Sequence, residues 1–139
     1  MQKFVLMMMA AWAGTAFAGG LTVSEKDITN KTPLIAVADV MLKGAKATIL
    51  TDDKGMSLYT FEIDKAGKSN CSGGCLTEWP PEHVPAGTAV ASPFGTIKGN
   101  DGEMQLTLNG MPLYHYDDDK KPGDTFGQYP EWDAILVTP

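Results

Sequence analysis

Few residues in this 139-residue chain combine the types and spacing that chemistry requires. Its two cysteines, Cys71 and Cys75, enclose Ser-Gly-Gly, a flexible spacer that can bring their Cα atoms within disulfide range. One interpretation is a structural disulfide, which would stabilise so short a loop by about 2 kcal/mol in the chain-entropy model. The alternative is a redox or copper-handling pair, although no βαβ pattern surrounds the two cysteines.

The histidines and methionines offer a second kind of site. His83 and His115 are the only histidines, and Met56 and Met111 each follow a glycine in a predicted turn. Imidazole and thioether groups together suit Cu(I), so these four residues are candidate metal ligands. Methionines more often fill a hydrophobic core. We therefore expect no cofactor, with bound copper as the alternative.

An acidic loop near the C-terminal end contains four aspartates, Asp117, Asp118, Asp119 and Asp124. Calcium needs several oxygen ligands, but the Asp-x-Asp-x-Asp-Gly order is absent and two lysines interrupt the loop. A solvated turn with local aspartate hydrogen bonds is favoured. The sequence also lacks a Gly-x-Ser-x-Gly pattern, so we assign no catalytic residue and do not expect an enzyme.

Composition and charge exclude some partners. The chain has 11 lysines, no arginine and 17 acidic residues, which give a formal net charge of −6. An acidic chain without guanidinium groups is poorly suited to bind nucleic acid or to recognise phosphate in a bidentate manner. The length supports one domain.

The N-terminal residues have the pattern of a cleavable signal peptide. Lys3 precedes an apolar segment at 4–12, and Ala16-Phe17-Ala18 fits the small-x-small cleavage rule. We predict cleavage near Ala18 and a periplasmic or secreted protein, in a compartment where disulfides persist. No later segment has the length of a transmembrane helix.

The remaining chain divides into an N-terminal lead-in, residues 19–44, and a duplicated β-domain, residues 45–139. Residues 55–65 and 110–120 are identical at six of eleven positions. In each copy, alternation places the tyrosine on one face of a strand and the preceding leucine on the other. We therefore expect two pseudo-repeats of β-hairpins, joined by long loops rich in Gly, Pro and Asp, that bury their aromatic strands against each other.

Turn signals locate the hairpins. Asn109-Gly110 predicts a type I′ turn between strands at 104–108 and 111–116. The polar turn 52–55 predicts a second hairpin, between 47–50 and 56–61. The apolar stretch 33–42 is compatible with a strand or a short helix, and no amphipathic helix is expected after residue 45. The aromatic residues of both halves suit core packing, or alternatively a ligand groove, and comprise Tyr59, Phe61, Trp79, Tyr114, Tyr116 and Trp132.

These residues resemble a bacterial family of exported repeat proteins, described as predicted lipoproteins with a Yx(F/W/Y)xxD motif. The motif occurs here twice, at 59–64 and 114–119. The run from Cys71 to Pro81 is similar to the C-x-G-x-C-x-x-x-WPP segment of the family. Because the lipobox cysteine is missing, lipid anchoring is not implied. The resemblance implies a fold and an exported location, since the family has no established activity.

We therefore expect a small all-β single domain that acts as an exported, non-enzymatic module of the cell envelope or periplasm. Its predicted role is binding or interaction, with an unidentified envelope protein or a small ligand as the partner. The alternative is a periplasmic redox or copper-binding protein that uses Cys71 and Cys75 with histidine or methionine. The sequence leaves the oligomeric state open.

Overall fold

The computed structural model of the chain describes residues 20–28 and 31–139. These residues form a small all-β fold, which confirms the predicted fold class. The predicted signal peptide at 1–18 and its cleavage site near Ala18 lie outside the described residues. In the described part of the chain, no helix is long and apolar enough to cross a membrane.

The described strands form three small sheets. Their orders are β1-β9-β3-β2, β4-β8 and β5-β6-β7. The strands are β1 Thr22–Ser24, β2 Ile35–Leu42, β3 Ala45–Asp52, β4 Tyr59–Phe61, β5 Phe94–Lys98, β6 Met104–Leu108, β7 Met111–Pro112, β8 Trp132–Ala134 and β9 Leu136–Thr138. A 3-10 turn spans Glu25–Asp27, and one short helix, α1, spans Gly74–Glu78.

Strand β3 has a different main partner from the predicted one. It pairs along its whole length with β2, around a turn in which Lys43 and Gly44 both have positive φ. The predicted partner at 56–61 meets only the last three residues of β3, through the bridge between Thr51 and Ser57 and two backbone hydrogen bonds beside it. The ambiguous stretch 33–42 therefore contains a strand, because two consecutive left-handed residues close a tight hairpin directly after it.

The second predicted hairpin is present but shorter. Asn109 and Gly110 have φ of 53° and 84°, as a type I′ turn requires, and β6 pairs with β7 across them. Strand β7 ends at Pro112 rather than at residue 116, although Leu113 still donates its N–H to Leu106 O at 3.0 Å. From Tyr114 onward the chain pairs with other segments, through bridges to Tyr59 and Pro81.

Helix α1 was not expected from the sequence. It has five residues, carries Cys75 and has no buried residue of its own. One helical turn is too short to show the 3.6-residue periodicity by which an amphipathic helix is recognised.

Two hydrophobic cores lie on opposite sides of the motif strands, as the alternation predicted. Leu58 and Leu113 belong to the first core, whereas Tyr59 and Tyr114 belong to the second. The first core is aliphatic apart from one phenylalanine, and its buried residues are Val23, Ile35, Leu50, Leu58, Val84, Phe94, Leu106, Leu108, Leu113 and Ile135.

The second core is aromatic. The rings of Trp79 and Trp132 are stacked with centroids 3.7 Å apart, and Phe61 stacks on Trp132 at 4.1 Å. The Tyr59 and Tyr114 side chains are fully buried in the same cluster. The aromatic residues that suited either a core or a groove therefore form a packed core.

The two halves exchange strands. β4, in the first motif, pairs with β8, which follows the second motif, so that Tyr59 faces Ala134. Tyr114, in the second motif, forms a bridge with Pro81, which follows the first motif. Each motif is thus completed by a segment from the other half of the chain.

Candidate functional site

The motif tyrosines and aspartates form two reciprocal hydrogen bonds. The Tyr59 hydroxyl donates to Asp119 Oδ2 at 2.7 Å, and the Tyr114 hydroxyl donates to Asp64 Oδ2 at 2.6 Å. All four side chains are buried. Each tyrosine therefore binds the aspartate of the other copy, so the repeated residues join the two halves.

The second carboxylate oxygen of each aspartate orders the loop that follows. Asp64 Oδ1 accepts the Asn70 N–H at 2.6 Å, and Asp119 Oδ1 accepts the Phe126 N–H at 2.8 Å. Burial raises the pKa of both carboxyl groups, and the hydrogen bonds to their oxygens offset this only in part. Asp64 and Asp119 therefore stabilise the fold through hydrogen bonds from both motifs and from the loops that follow them.

The acidic loop is only partly as expected. Asp124 Oδ2 accepts the N–H groups of Lys120 and Lys121 at 2.9 and 3.0 Å, the local bonding of an aspartate turn. Asp117 and Asp118 are exposed. Asp119 is not part of a solvated turn, because it is buried against Tyr59.

The two cysteines are joined. Their Sγ atoms lie 2.01 Å apart and their Cα atoms 5.3 Å apart, and Cys71 is fully buried in the aromatic core. Asn100 fastens the segment by donating from Nδ2 to the carbonyls of Ser69 and Cys71, at 3.1 and 2.9 Å.

The predicted histidine and methionine ligands lie in different settings. The His83 ring lies 2.7 Å from Asp101 Oδ2 in an exposed pair. Met111 lies in β7, and Met56 donates its backbone N–H to Asp52 Oδ1. Of the two histidines, only His115 joins a cluster of three carboxylate or imidazole donors within residues 20–28 and 31–139.

That cluster, called the polar triad below, consists of Asp52, Glu82 and His115. His115 Nε2 lies 2.6 Å from Glu82 Oε1 and 3.8 Å from Asp52 Oδ2. One donor atom from each residue lies within 4.8 Å of the others. Glu82 is 8% exposed and Asp52 is 9% exposed, so two carboxylates and an imidazole meet where water has little access.

Backbone hydrogen bonds hold each member of the triad in place. Asp52 ends β3, and its Oδ1 accepts the N–H groups of Lys54 and Met56, both at 2.9 Å. Glu82 donates its N–H to Leu113 O at 3.0 Å, next to the second motif. His115 donates its N–H to the carbonyl of Pro80 at 2.7 Å. Asp52 Oδ2 therefore points towards His115 while Oδ1 is engaged in the turn.

The charges around His115 determine its protonation. Burial lowers its pKa, but the hydrogen bond and charge of Glu82 outweigh this effect, with further contributions from Asp52 and Asp119. The pKa of His115 therefore lies above its ordinary value. The surroundings of His115 therefore favour its protonated, positively charged form.

The pattern of backbone bonds around the triad recurs in the other half of the chain. Leu106 donates its N–H to Glu82 O at 2.9 Å, and Leu50 donates in the same way to Ile135 O, also at 2.9 Å. Ile135 is therefore the structural counterpart of Glu82.

Asp52 also has a counterpart. Asp52 precedes the turn that leads to Met56 and donates its N–H to Met56 O. Leu108 precedes the turn that leads to Met111 and is paired with it. Because Met56 and Met111 are equivalent in the repeat, Leu108 occupies the position of Asp52.

His115 aligns with Thr60 in the two copies of the motif. The three counterparts of the triad are thus two aliphatic residues and one hydroxyl residue, all buried, namely Thr60, Leu108 and Ile135. One half of the fold closes this position with uncharged side chains, whereas the other half fills it with three ionisable ones.

Sequence reasoning identified His115 but missed Asp52 and Glu82. Both lie outside the 11-residue alignment of the two copies, Asp52 just before it and Glu82 after the tryptophan. At the 55-residue period they fall opposite Thr107 and Val137, so only an alignment that allows gaps in the turns and matches Trp79 with Trp132 places them opposite Leu108 and Ile135. The signal was a charged residue opposite an aliphatic one.

Two segments of the chain, residues 41–82 and 95–129, match the model of a family described as a secreted repeat of unknown function. The matched segments contain both motifs and make up more than half of the chain. They also contain all three residues of the triad. No curated protein and no solved structure matches the chain.

Proposed function

The chain belongs to this family of secreted repeats of unknown function, and from that premise we propose that it is an exported, non-enzymatic binding module. The proposed ligand is a cation, and the proposed site is the polar triad of Asp52, Glu82 and His115. The module would act in the periplasm or outside the cell, after cleavage near Ala18.

A binding role is supported by what the repeated residues do. The motif tyrosines and aspartates form hydrogen bonds with each other, and Trp79 and Trp132 are stacked in the core. These groups maintain the scaffold. The triad is the place where the two halves differ in charge at matching positions.

The single observation that carries the proposal is the exchange of Thr60, Leu108 and Ile135 for His115, Asp52 and Glu82 at equivalent positions. Buried ionic groups are costly to desolvate, and replacing such a set by well-packed apolar residues is often neutral or stabilising. The counterpart position shows that the fold can fill this place with uncharged residues. Ligand binding supplies a reason to keep the ionic residues.

The charge of the site favours a cation. The two carboxylates outnumber the single imidazole, and Asp119 adds a third negative group that acts on His115. A positive ion at the centre would neutralise carboxylates that share a site of low dielectric, where unpaired charges are most costly.

The test uses a variant in which the triad takes the residues of its counterparts, Asp52→Leu, Glu82→Ile and His115→Thr together. We call it the apolar-triad variant. Thermal unfolding of the chelator-treated wild type and of this variant is measured with Zn²⁺, Co²⁺, Mn²⁺, Mg²⁺ or Ca²⁺. At about 100 times the dissociation constant, a bound ion adds about 2.7 kcal/mol to the unfolding free energy.

At least one cation should raise the melting temperature of the wild type by several degrees and leave the folded apolar-triad variant unchanged. A matched control is His83→Ala, which removes the other histidine and its exposed partnership with Asp101. It should respond like the wild type. Equal responses of the wild type and the apolar-triad variant to every cation would refute the proposal.

Export is tested separately by the intact mass of the protein recovered from the extracytoplasmic fraction. The mass should correspond to a chain that begins at Gly19, less two hydrogens for the bond between Cys71 and Cys75. A full-length mass confined to the cytoplasm would contradict the proposed location.

A further inference from the structure

We infer that the ion of the polar triad is a divalent transition ion of the zinc type, bound by His115 Nε2 and one oxygen each of Asp52 and Glu82. This inference rests on the proposed function and names the class of its ligand. It follows from the chemistry of the three donors, from their separations and from the groups that fix them.

The donor separations lie on either side of the value for a small tetrahedral ion. Ligands at about 2.0–2.2 Å from zinc in tetrahedral geometry lie roughly 3.4 Å from each other. The His115 to Glu82 separation of 2.6 Å is below this value, and the His115 to Asp52 separation of 3.8 Å is above it. Shifts of less than about 1 Å in these side chains would bring both to the tetrahedral distance.

The positions of the ligands are fixed by groups that do not bind the ion. The two N–H groups on Asp52 Oδ1 leave Oδ2 as the oxygen on the His115 side. The backbone of Glu82 is held on both sides, by Leu113 O and by the N–H of Leu106. Such supporting contacts typically change metal affinity by about 10–100-fold when they are lost.

Three protein ligands leave a fourth position for water or another ligand, as in zinc sites that exchange their ligand. His115 is half-buried and so reaches the protein surface. The site is therefore accessible to an ion from solution while its two carboxylates remain largely covered.

Hard cations fit these donors less well. Calcium takes 6–8 oxygen ligands, and magnesium requires near-octahedral oxygen coordination. The triad offers one imidazole nitrogen, and one of its carboxylate oxygens is already engaged by two N–H groups. Zinc accepts imidazole nitrogen and carboxylate oxygen in the same site.

Copper(I) is disfavoured by the same donors. It prefers thiolate and thioether sulfur, but the donors of the triad are nitrogen and oxygen. Cys71 and Cys75 are bonded to each other and so provide no thiolate. The nitrogen and oxygen donors of the triad therefore favour a divalent ion over Cu(I).

The experiment combines calorimetric titration with cobalt spectroscopy on the processed, chelator-treated protein. Zn²⁺ is titrated into the wild type, the apolar-triad variant and His83→Ala, with and without excess Ca²⁺. Co²⁺ is then added, since its visible absorption reports tetrahedral coordination. We expect one Zn²⁺ per chain, an affinity lower by at least about 100-fold in the apolar-triad variant, and no effect of Ca²⁺ or of His83→Ala.

The outcomes separate this inference from the proposed function. Binding of Ca²⁺ or Mg²⁺ at the triad without Zn²⁺ binding would overturn the zinc assignment and leave cation binding intact. Zn²⁺ binding that survives in the apolar-triad variant, or that is lost in His83→Ala, would show that the ion sits elsewhere and would overturn it as well. Absence of binding by any cation would refute both statements.

Discussion

Tyr59 and Tyr114 lie opposite each other and exchange both backbone hydrogen bonds, at 2.8 and 2.9 Å. Each hydroxyl then donates to the aspartate of the other motif, Asp119 or Asp64. Neither motif can satisfy its buried polar groups without the other. The Yx(F/W/Y)xxD pattern is thus explained as a pair of interlocking halves, in which the tyrosine and the aspartate act across the repeat.

The hydrogen bonds between the two motifs predict that Asp119→Asn destabilises the fold. Asparagine offers one acceptor oxygen where Asp119 uses two, one for the Tyr59 hydroxyl and one for the Phe126 N–H. Leaving one donor unsatisfied should lower the unfolding free energy by about 1–3 kcal/mol, measured by urea denaturation. The neighbouring exposed change Asp118→Asn is the control and should alter it by less than about 0.5 kcal/mol. Equal effects of the two changes on the unfolding free energy would contradict a stabilising role for the hydrogen bonds of Asp119.

The turn glycine Gly110 gives a second prediction. It has φ of +84°, and a Cβ at this position would lie 3.1 Å from Cβ of Ala66, in the loop that follows the first motif. Gly67 has a similar φ of +79° with nothing within 4 Å of its Cβ position. Gly67→Ala therefore reports the backbone cost alone, about 1 kcal/mol.

Gly110→Ala should cost more than Gly67→Ala by about 1 kcal/mol or more in unfolding free energy, because it adds a steric conflict to the same backbone cost. Chemical denaturation of the two variants measures the difference. If both lose the same stability, the contact between the two halves at this turn is not tight.

The pKa of Asp64 gives a prediction for pH. Burial raises the pKa of this carboxyl group in the folded chain, so the folded state binds the proton more tightly than the unfolded state does. Its contribution to stability is present below the unfolded pKa of about 3.9 and is lost as the pH rises through the folded pKa.

Wild type should therefore gain stability relative to Asp64→Asn as the pH falls from 7 towards about 4, since asparagine does not titrate. Parallel urea denaturation of both proteins at several pH values provides the comparison. A constant difference across this range would mean that the Asp64 carboxyl group is not perturbed.

The triad predicts that one substitution is worse than three. His115→Thr alone leaves the Glu82 carboxylate nearly buried without its partner and should cost about 1–3 kcal/mol. The apolar-triad variant removes all the charges and reproduces the residues of the other half, so its unfolding free energy should lie within about 1 kcal/mol of wild type or above it. Additive losses across the three changes would show that the charges are needed by the fold.

The features of the fold that depend on neighbouring residues in the sequence were predicted correctly. The Asn109-Gly110 turn, the opposite faces of Leu58 and Tyr59, and the all-β class follow from residue type and alternation. The pairing of β3 with β2 was not predicted, since two strands compete for β3 and only the three-dimensional arrangement selects between them. Helix α1 was missed because a single turn has no periodicity.

The site was predicted less completely than the fold. His115 was a candidate because histidine is a common ligand, but its partners Asp52 and Glu82 lie 63 and 33 positions before it. They reach it because the halves exchange strands, a non-local feature that no short motif records. The alternatives assigned to the aromatic residues could not be separated from sequence either, since a groove and a core have the same residue types.

Whether the polar triad binds zinc can be seen in crystals of the chelator-treated protein soaked in Zn²⁺, by anomalous diffraction recorded on both sides of the zinc absorption edge. We expect one zinc peak, at about 2.0–2.2 Å from His115 Nε2 and from one carboxylate oxygen each of Asp52 and Glu82. The peak should be absent in the apolar-triad variant. An empty triad, or a peak confined to His83 and Asp101, would contradict zinc binding by the triad.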